Sequence, residues 1–162
     1  MSRPRTKLKF RLNSKDVLVC VDRRALLIET IRSLGAKSAR MGCLTGDCGA
    51  CTVLLDGKLR KPCLILSVSA DGGDIVTLEG SDSVIAEQVR QSFVAKKGFQ
   101  CGYCTSGMIL IAIDLLRTKL DVTETEIRHA ISGNLCRCTG YDDIVSAIAH
   151  AAHALKKRRE AS

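Results

Sequence analysis

The chain has 162 residues, 46% hydrophobic but only 3% aromatic and without Trp, so a core is possible but must be filled by Leu, Ile, Val and Ala. The net charge is +8, and the whole excess sits at the ends: Arg3, Arg5, Lys7, Lys9 and Arg11 at one, Lys156, Lys157, Arg158 and Arg159 against Glu160 at the other. This argues against nucleic-acid binding, which needs a basic stripe with aromatics on the folded surface, and the lack of an apolar run of about 18 residues argues against a membrane span. Basic Met1–Phe10 is not followed by an apolar segment, so no secretory signal is expected and the chain reads as cytoplasmic, where disulfides rarely persist.

In chain order, Leu8–Leu12 and Val17–Val21 read as strands joined at Asn13-Ser14-Lys15. Ala25–Leu34 reads as a helix with Leu27, Ile31 and Leu34 on one face and Gly35 as its stop. A cysteine- and glycine-rich segment, Met41–Cys51, follows. Thr52–Leu55 is a strand closed by the turn pair Asp56-Gly57, and Ile75–Leu78 is a last short strand. Beyond residue 82 the pattern is helical. Val84–Lys97 follows the N-cap candidate Ser83 and stops at Gly98, and Ser106–Lys119 carries the apolar run Met108–Leu116. Thr123-Glu124-Thr125-Glu126 is a capping box opening a third helix toward Ile131. Tyr141–Lys157 is a fourth, with Ile144, Ile148, Ala151 and Leu155 on one stripe. The expected organisation is α+β: a small mixed unit over residues 1–82 and a compact four-helix unit over 83–162.

The nine cysteines dominate the chemistry. Cys43, Cys48 and Cys51 form C-x4-C-x2-C, and Cys63 follows later, the spacing of a plant-type [2Fe–2S] site. Three ligands on one tight loop must converge without regular structure, and Gly42, Gly46 and Gly49 are expected to permit it through positive φ angles and close backbone approach. A zinc site more often shows two short CxxC pairs, and a disulfide set conflicts with the inferred compartment.

Cys101, Cys104, Cys136 and Cys138 form a second set, C-x2-C and C-x-C, for which zinc is a serious rival on spacing alone. Both pairs are expected to precede helix starts, at Thr105 and Thr139, whose positive dipole ends and free N–H groups would favour an anionic cluster. Cys20, between Val19 and Val21, is expected to be a buried inert thiol. His129, His150 and His153 lack ligand-like partners, and no P-loop, dinucleotide fingerprint or nucleophile-plus-base set is present, so no catalytic residue is expected on this chain.

Gly42-Cys43-Leu-Thr-Gly-Asp-Cys48-Gly49-Ala50-Cys51-Thr52-Val53 resembles the plant-type signature of the xanthine oxidase family of molybdenum hydroxylases. Gln100-Cys101-Gly102-Tyr103-Cys104-Thr105 and Gly133-Asn134-Leu135-Cys136-Arg137-Cys138-Thr139-Gly140-Tyr141 resemble that family's second cluster motif, in family order. The resemblance spans about residues 6 to 155, and the length suits the separate small subunit of bacterial three-subunit members. It implies an N-terminal β-grasp ferredoxin-like domain, the family's C-terminal four-helix domain, and two [2Fe–2S] clusters on the eight cysteines. It further implies a large subunit with molybdopterin, in bacteria often the cytosine dinucleotide form, and a medium subunit with FAD, in a heterotrimer or a dimer of heterotrimers. Electrons would run from molybdenum through the helical-domain cluster and the plant-type cluster to FAD as an aldehyde, N-heterocycle or similar small substrate is hydroxylated. Gln100 becomes a candidate molybdopterin contact, and Cys138 or its neighbours would lie nearest the pterin. One departure is visible: the family commonly has Pro after the Cys-Thr of the first pair, where Ser106 stands here. A stand-alone ferredoxin-type carrier and a zinc-stabilised interaction protein are the alternative readings.

Overall fold

The computed structural model describes residues 4–161; Met1, Ser2 and Arg3, and with Arg3 one of the basic N-terminal residues, lie outside the described residues. Alternation of period two runs along each strand of the first hairpin and breaks only around its turn. Strand β1 (Arg5–Leu12) turns Leu8, Phe10 and Leu12 inward and Arg5, Lys7, Lys9 and Arg11 outward, and it pairs antiparallel along its whole length with β2 (Lys15–Asp22). Both strands are longer than the apolar runs alone suggested, because the cross-strand ladder carries the charged ends with it. The hairpin turns on Asn13 and Ser14 alone, both left-handed (φ 52° and 65°), the two-residue turn whose twist matches that of the strands.

Helix α1 (Leu27–Ser33) is shorter than expected and buries Leu27, Ile28 and Ile31, while Leu34, just past its end, stays partly exposed. Gly35 stops it at φ 99°. Strands β3 (Val53–Leu55) and β4 (Lys58–Arg60) close across Asp56-Gly57, again both left-handed, and β5 (Asp74–Val76) completes a mixed sheet of order β2-β1-β5-β3-β4. β5 runs parallel to β1 and antiparallel to β3, so the last strand of this half lies between the first and third. Between β4 and β5 the chain makes 3₁₀ turns at Pro62–Leu64 and Ser67–Ala70 rather than extended structure.

Helices α2 (Val84–Ala95), α3 (Thr105–Thr118), α4 (Glu124–Ile131) and α5 (Asp142–Glu160) form the second half. Two predicted caps are present as hydrogen bonds. Ser83 Oγ accepts from Ala86 N, and Thr123 and Glu126 exchange bonds reciprocally. α3 is buried nearly all round, through Met108, Leu110, Ala112 and Leu116, which makes it the central helix; Ile144, Ile148, Ala151 and Leu155 of α5 pack on the same core. A second core joins Leu8, Phe10, Ile28, Ile31, Val53 and Ile75 under the sheet, with Cys51 and Cys63 at its edge. The fold is therefore α+β, a mixed sheet with five helices. Among the described residues no helix is long and apolar enough to cross a membrane.

The basic ends are not loose tails in the described residues. The N-terminal cations line the outer face of β1, and Lys157, Arg158 and Arg159 occupy the last turn of α5, where cations suit the negative end of the helix dipole.

Candidate metal centres

The segment from Met41 to Cys51 carries no regular structure and wraps Cys43, Cys48 and Cys51 toward Cys63, which the 3₁₀ turn at Pro62–Leu64 presents from below. Cys51 and Cys63 are buried with their sulfurs 3.5 Å apart. Two thiolates on one tetrahedral centre with bonds of about 2.3 Å lie ~3.8 Å apart, so this pair is set for a shared metal. Cys43 Sγ accepts the N–H groups of Thr45 and Cys48, both at 3.4 Å. The glycines act in two ways. Gly46 and Gly49 take positive φ (85° and 67°), but Gly42 does not; Leu44 does instead, at 61°. Gly42 is needed for space, since a Cβ there would stand 2.7 Å from Cys48 Sγ.

The second site draws on two separated loops. Cys104 caps α3 and is buried, and the sulfurs of Cys101 and Cys138 lie 3.5 Å apart at an exposed edge. Only one of the two expected helix starts is in place. α3 does begin at Thr105, but α5 begins at Asp142, three residues after Thr139. Gly140 and Tyr141 are both left-handed (φ 65° and 76°), which swings the chain back so that Tyr141 Oη accepts the N–H of Cys136 at 3.0 Å. The first turn of α5 carries Asp142 and Asp143, with Asp142 paired to Arg128, so the anion-favouring role falls to α3 alone.

The thiols differ in readiness to lose their protons. The Thr45 hydroxyl, then the N–H groups of Cys48 and Thr45, bring Cys43 down to about 6. Burial pushes Cys51 and Cys104 up to about 12. The backbone N–H of Tyr103 and the Cys138 thiol hold Cys101 below the ordinary thiol range. Burial works against Cys136, but the Thr139 hydroxyl and the N–H groups of Thr139 and Cys138 outweigh it and lower its pKa. A metal held here would have to expel protons from the two buried thiols, whereas Cys43 would meet it more readily as a thiolate.

In both sites the sulfurs meet two by two. Among the described residues no three His, Cys, Asp or Glu side chains gather as closely as a single ion requires. Pairwise thiols, an all-sulfur donor set and N–H groups aimed at sulfur suit a binuclear iron–sulfur group in each site.

A family model described as a [2Fe–2S] binding domain matches residues 77–149. The chain is 37% identical to the nicotine 6-hydroxylase small subunit of Paenarthrobacter nicotinovorans, over 89% of this chain and 88% of that protein. It is 42% identical to the xanthine dehydrogenase iron–sulfur-binding subunit of Escherichia coli O157:H7, over 75% of this chain and 79% of that one. The chain belongs to the small iron–sulfur subunits of the xanthine dehydrogenase family of molybdenum hydroxylases. Among solved structures, quinoline 2-oxidoreductase from Pseudomonas putida 86 superposes with a TM-score of 0.87 at 35% identity, covering 94% of this chain and 97% of that one. Aldehyde oxidoreductase from Desulfovibrio gigas gives 0.84 at 34% identity over 94% of this chain, which there corresponds to 17% of a much longer polypeptide.

Within this subunit the two sites sit back to back. Leu135 N–H donates to the Cys48 carbonyl at 2.9 Å, one residue from Cys136. Lys61 Nζ bonds the carbonyls of Gly46 and Gly133, and Tyr103 Oη donates to the Met41 carbonyl. Asn134, 1% exposed, wedges between the loops, its Oδ1 accepting from Thr52 Oγ1 at 3.4 Å. A Cβ on Gly49 would overlap Asn134 Oδ1, and one on Gly107 would stand 2.5 Å from Asn134 Nδ2 and 2.6 Å from the Gly49 carbonyl. Sequence reasoning quoted Asn134 within a motif but assigned it no role, and it missed Gly107. Their signal was a buried amide and a helix-interior glycine, which only the contact between the halves explains.

Ser106 is more than a stand-in for the family's Pro, because its hydroxyl donates to the Ser38 carbonyl at 2.6 Å and ties α3 to the first half. Gln100 lies exposed beside Cys101. Cys20 corrects an expectation: it is exposed, since Val17, Val19 and Val21 take the inner face of β2 and leave Leu18 and Cys20 outward. His150 Nδ1 pairs with Ser92 Oγ at 3.0 Å, while His129 and His153 are exposed.

Proposed function

We propose that this subunit holds two [2Fe–2S] clusters, one on Cys43, Cys48, Cys51 and Cys63 and one on Cys101, Cys104, Cys136 and Cys138, and relays single electrons between partner subunits. In this reading residues 1–82 are a β-grasp ferredoxin-like domain and 83–162 a four-helix domain. The carrying observation is the hydrogen bond from Leu135 N–H to the Cys48 carbonyl, which leaves one peptide unit and one hydrogen bond between a ligand of each site. When bound, the clusters supply reversible one-electron storage; the chain positions them, orients N–H donors toward their sulfurs and keeps Cys51, Cys63 and Cys104 out of water.

The exposure pattern supports a direction. Cys101 and Cys138 form the accessible edge of the helical-half site, with Gln100 beside them, and that edge is the natural receiver from a molybdopterin centre in a large subunit. We assign Gln100 as a contact to that pterin, in its cytosine dinucleotide form. At the far end, exposed Leu44 and Leu64 flank Cys43 and Cys63 and suit the face of a medium subunit carrying FAD. The assembly is then a heterotrimer or a dimer of heterotrimers working in the cytoplasm, hydroxylating an aldehyde, N-heterocycle or similar small substrate on the large subunit.

Isolation of the native complex tests the proposal. About four irons per copy of this chain, two distinct EPR signals on full reduction, and co-purifying molybdenum and flavin are expected. Two irons, a single signal, or zinc in a colourless protein would overturn it.

A further inference from the structure

The loop Cys136–Tyr141 contains a hydrogen-bond chain that ends on a sulfur. Tyr141 N–H donates to Thr139 Oγ1 at 3.1 Å, and Thr139 Oγ1 lies 3.2 Å from Cys136 Sγ. A hydroxyl has one proton and two acceptor sites. With Tyr141 N–H filling one acceptor site, the proton is left for the sulfur, and a metal-bound Cys136 thiolate has none of its own to give. Thr139 must therefore be the donor. The Cys136 amide cannot substitute for it, because that N–H is committed to Tyr141 Oη at 3.0 Å. The left-handed Tyr141 (φ 76°) holds both bonds in register, its N–H feeding Thr139 and its ring returning to Cys136. The first site differs: the Thr45 hydroxyl also lies beside Cys43 but donates its proton to Asp47 Oδ2 at 2.5 Å, and the donors aimed at Cys43 Sγ are the backbone N–H groups of Thr45 and Cys48, which a side-chain substitution leaves in place.

We propose that Thr139 is a positioning residue that sets the second site's affinity for its electron, through an O–H···S bond to Cys136 that strengthens as negative charge accumulates on the sulfur. The inference rests on the two-cluster reading above. One electron enters the group that Cys136 helps to hold and no proton moves, so the hydroxyl keeps its proton in both states. A donor favours the more negative state, so the bond raises the potential of the second site relative to the first and biases electrons toward it.

The test is an EPR-monitored redox titration of the assembled enzyme as wild type, Thr139→Val and Thr139→Ser. Thr139→Val is expected to keep about four irons per chain and both signals while the second site's midpoint falls. The oxidised-to-reduced ratio at fixed potential should rise by up to tenfold, about 59 mV for one electron. Thr139→Ser should restore the midpoint, and the first site should not move. Hyperfine spectroscopy should find, in the wild type and not in Thr139→Val, a proton coupled to the second signal that is replaced on exchange into D₂O. An unchanged midpoint and coupling in Thr139→Val, with four irons and two signals present, would overturn the role of Thr139 and leave the relay standing. Two irons or one signal in the wild type would overturn both.

Discussion

The two cysteine sites reach similar all-sulfur donor sets by opposite routes. The first is local: three cysteines share one glycine-rich loop, and the fourth returns on the 3₁₀ turn at Pro62–Leu64. The second is a clasp, joining the start of α3 to the loop between α4 and α5 and so linking residues more than thirty positions apart. A local site is specified by backbone freedom and spacing. A clasp is specified by helix packing, and in return it holds those helices together. The seam between them is also asymmetric, with Gly49 and Gly107 cleared of side chains so that one asparagine, Asn134, fits between the halves.

The largest test breaks one site at a time. Cys51→Ser and Cys104→Ser should each reduce iron from about four to about two per chain. Only Cys104→Ser should also increase hydrogen exchange across Thr105–Thr118, because it opens the clasp; equal loosening by both variants would erase the contrast. Next in size is the seam. Gly49→Ala forces a side chain onto Asn134 at a φ of 67°, and a stability loss of about 3 kcal/mol is expected by chemical denaturation, with Gly57→Ala as a control for left-handed strain where nothing crowds the new methyl.

A smaller effect should follow from Ser106→Pro, which installs the residue common in the family. The helix tolerates Pro in its first turn, but the bond to the Ser38 carbonyl is lost, so a cost of about 1 kcal/mol and faster exchange between the halves are expected, with cluster content unchanged. The smallest effect is confined to the helical half. Lys119 and then the N–H and hydroxyl of Thr123 bring Glu126 down from 4.5 to about 2. Its contribution to stability is complete above about pH 4.5 and is lost as the pH falls toward 2. Thermal melts of Glu126→Gln should lie below wild type by a constant amount above pH 5, and the gap should close on acidification.

The first site was legible because its spacing and glycines are local properties, and the caps at Ser83 and Thr123 were legible for the same reason. The hairpin was placed correctly, but its ends were underestimated, since charged residues join a ladder whenever their partners do. Cys20 was misplaced although its neighbours held the answer: with three valines at period two facing the core, the residue between two of them must face out. The helix α5 was placed from Tyr141, one residue before its start, but the left-handed pair Gly140-Tyr141 that keeps a helix from starting at Thr139 was not legible, because nothing local marks Tyr141 as left-handed.

What the sequence determined alone was the spacing of the cysteines, the order of the five helices and of every strand except β4, and the family to which the motifs belong. Tertiary structure decided how the cysteines pair, which thiols are buried, and that Leu135 and Cys48 join the two sites. The physical reason is range. Ligand spacing, turns and caps are settled within a few residues, whereas sulfur pairing across the clasp and the glycine seam depend on groups that meet only when the helices pack against the first half.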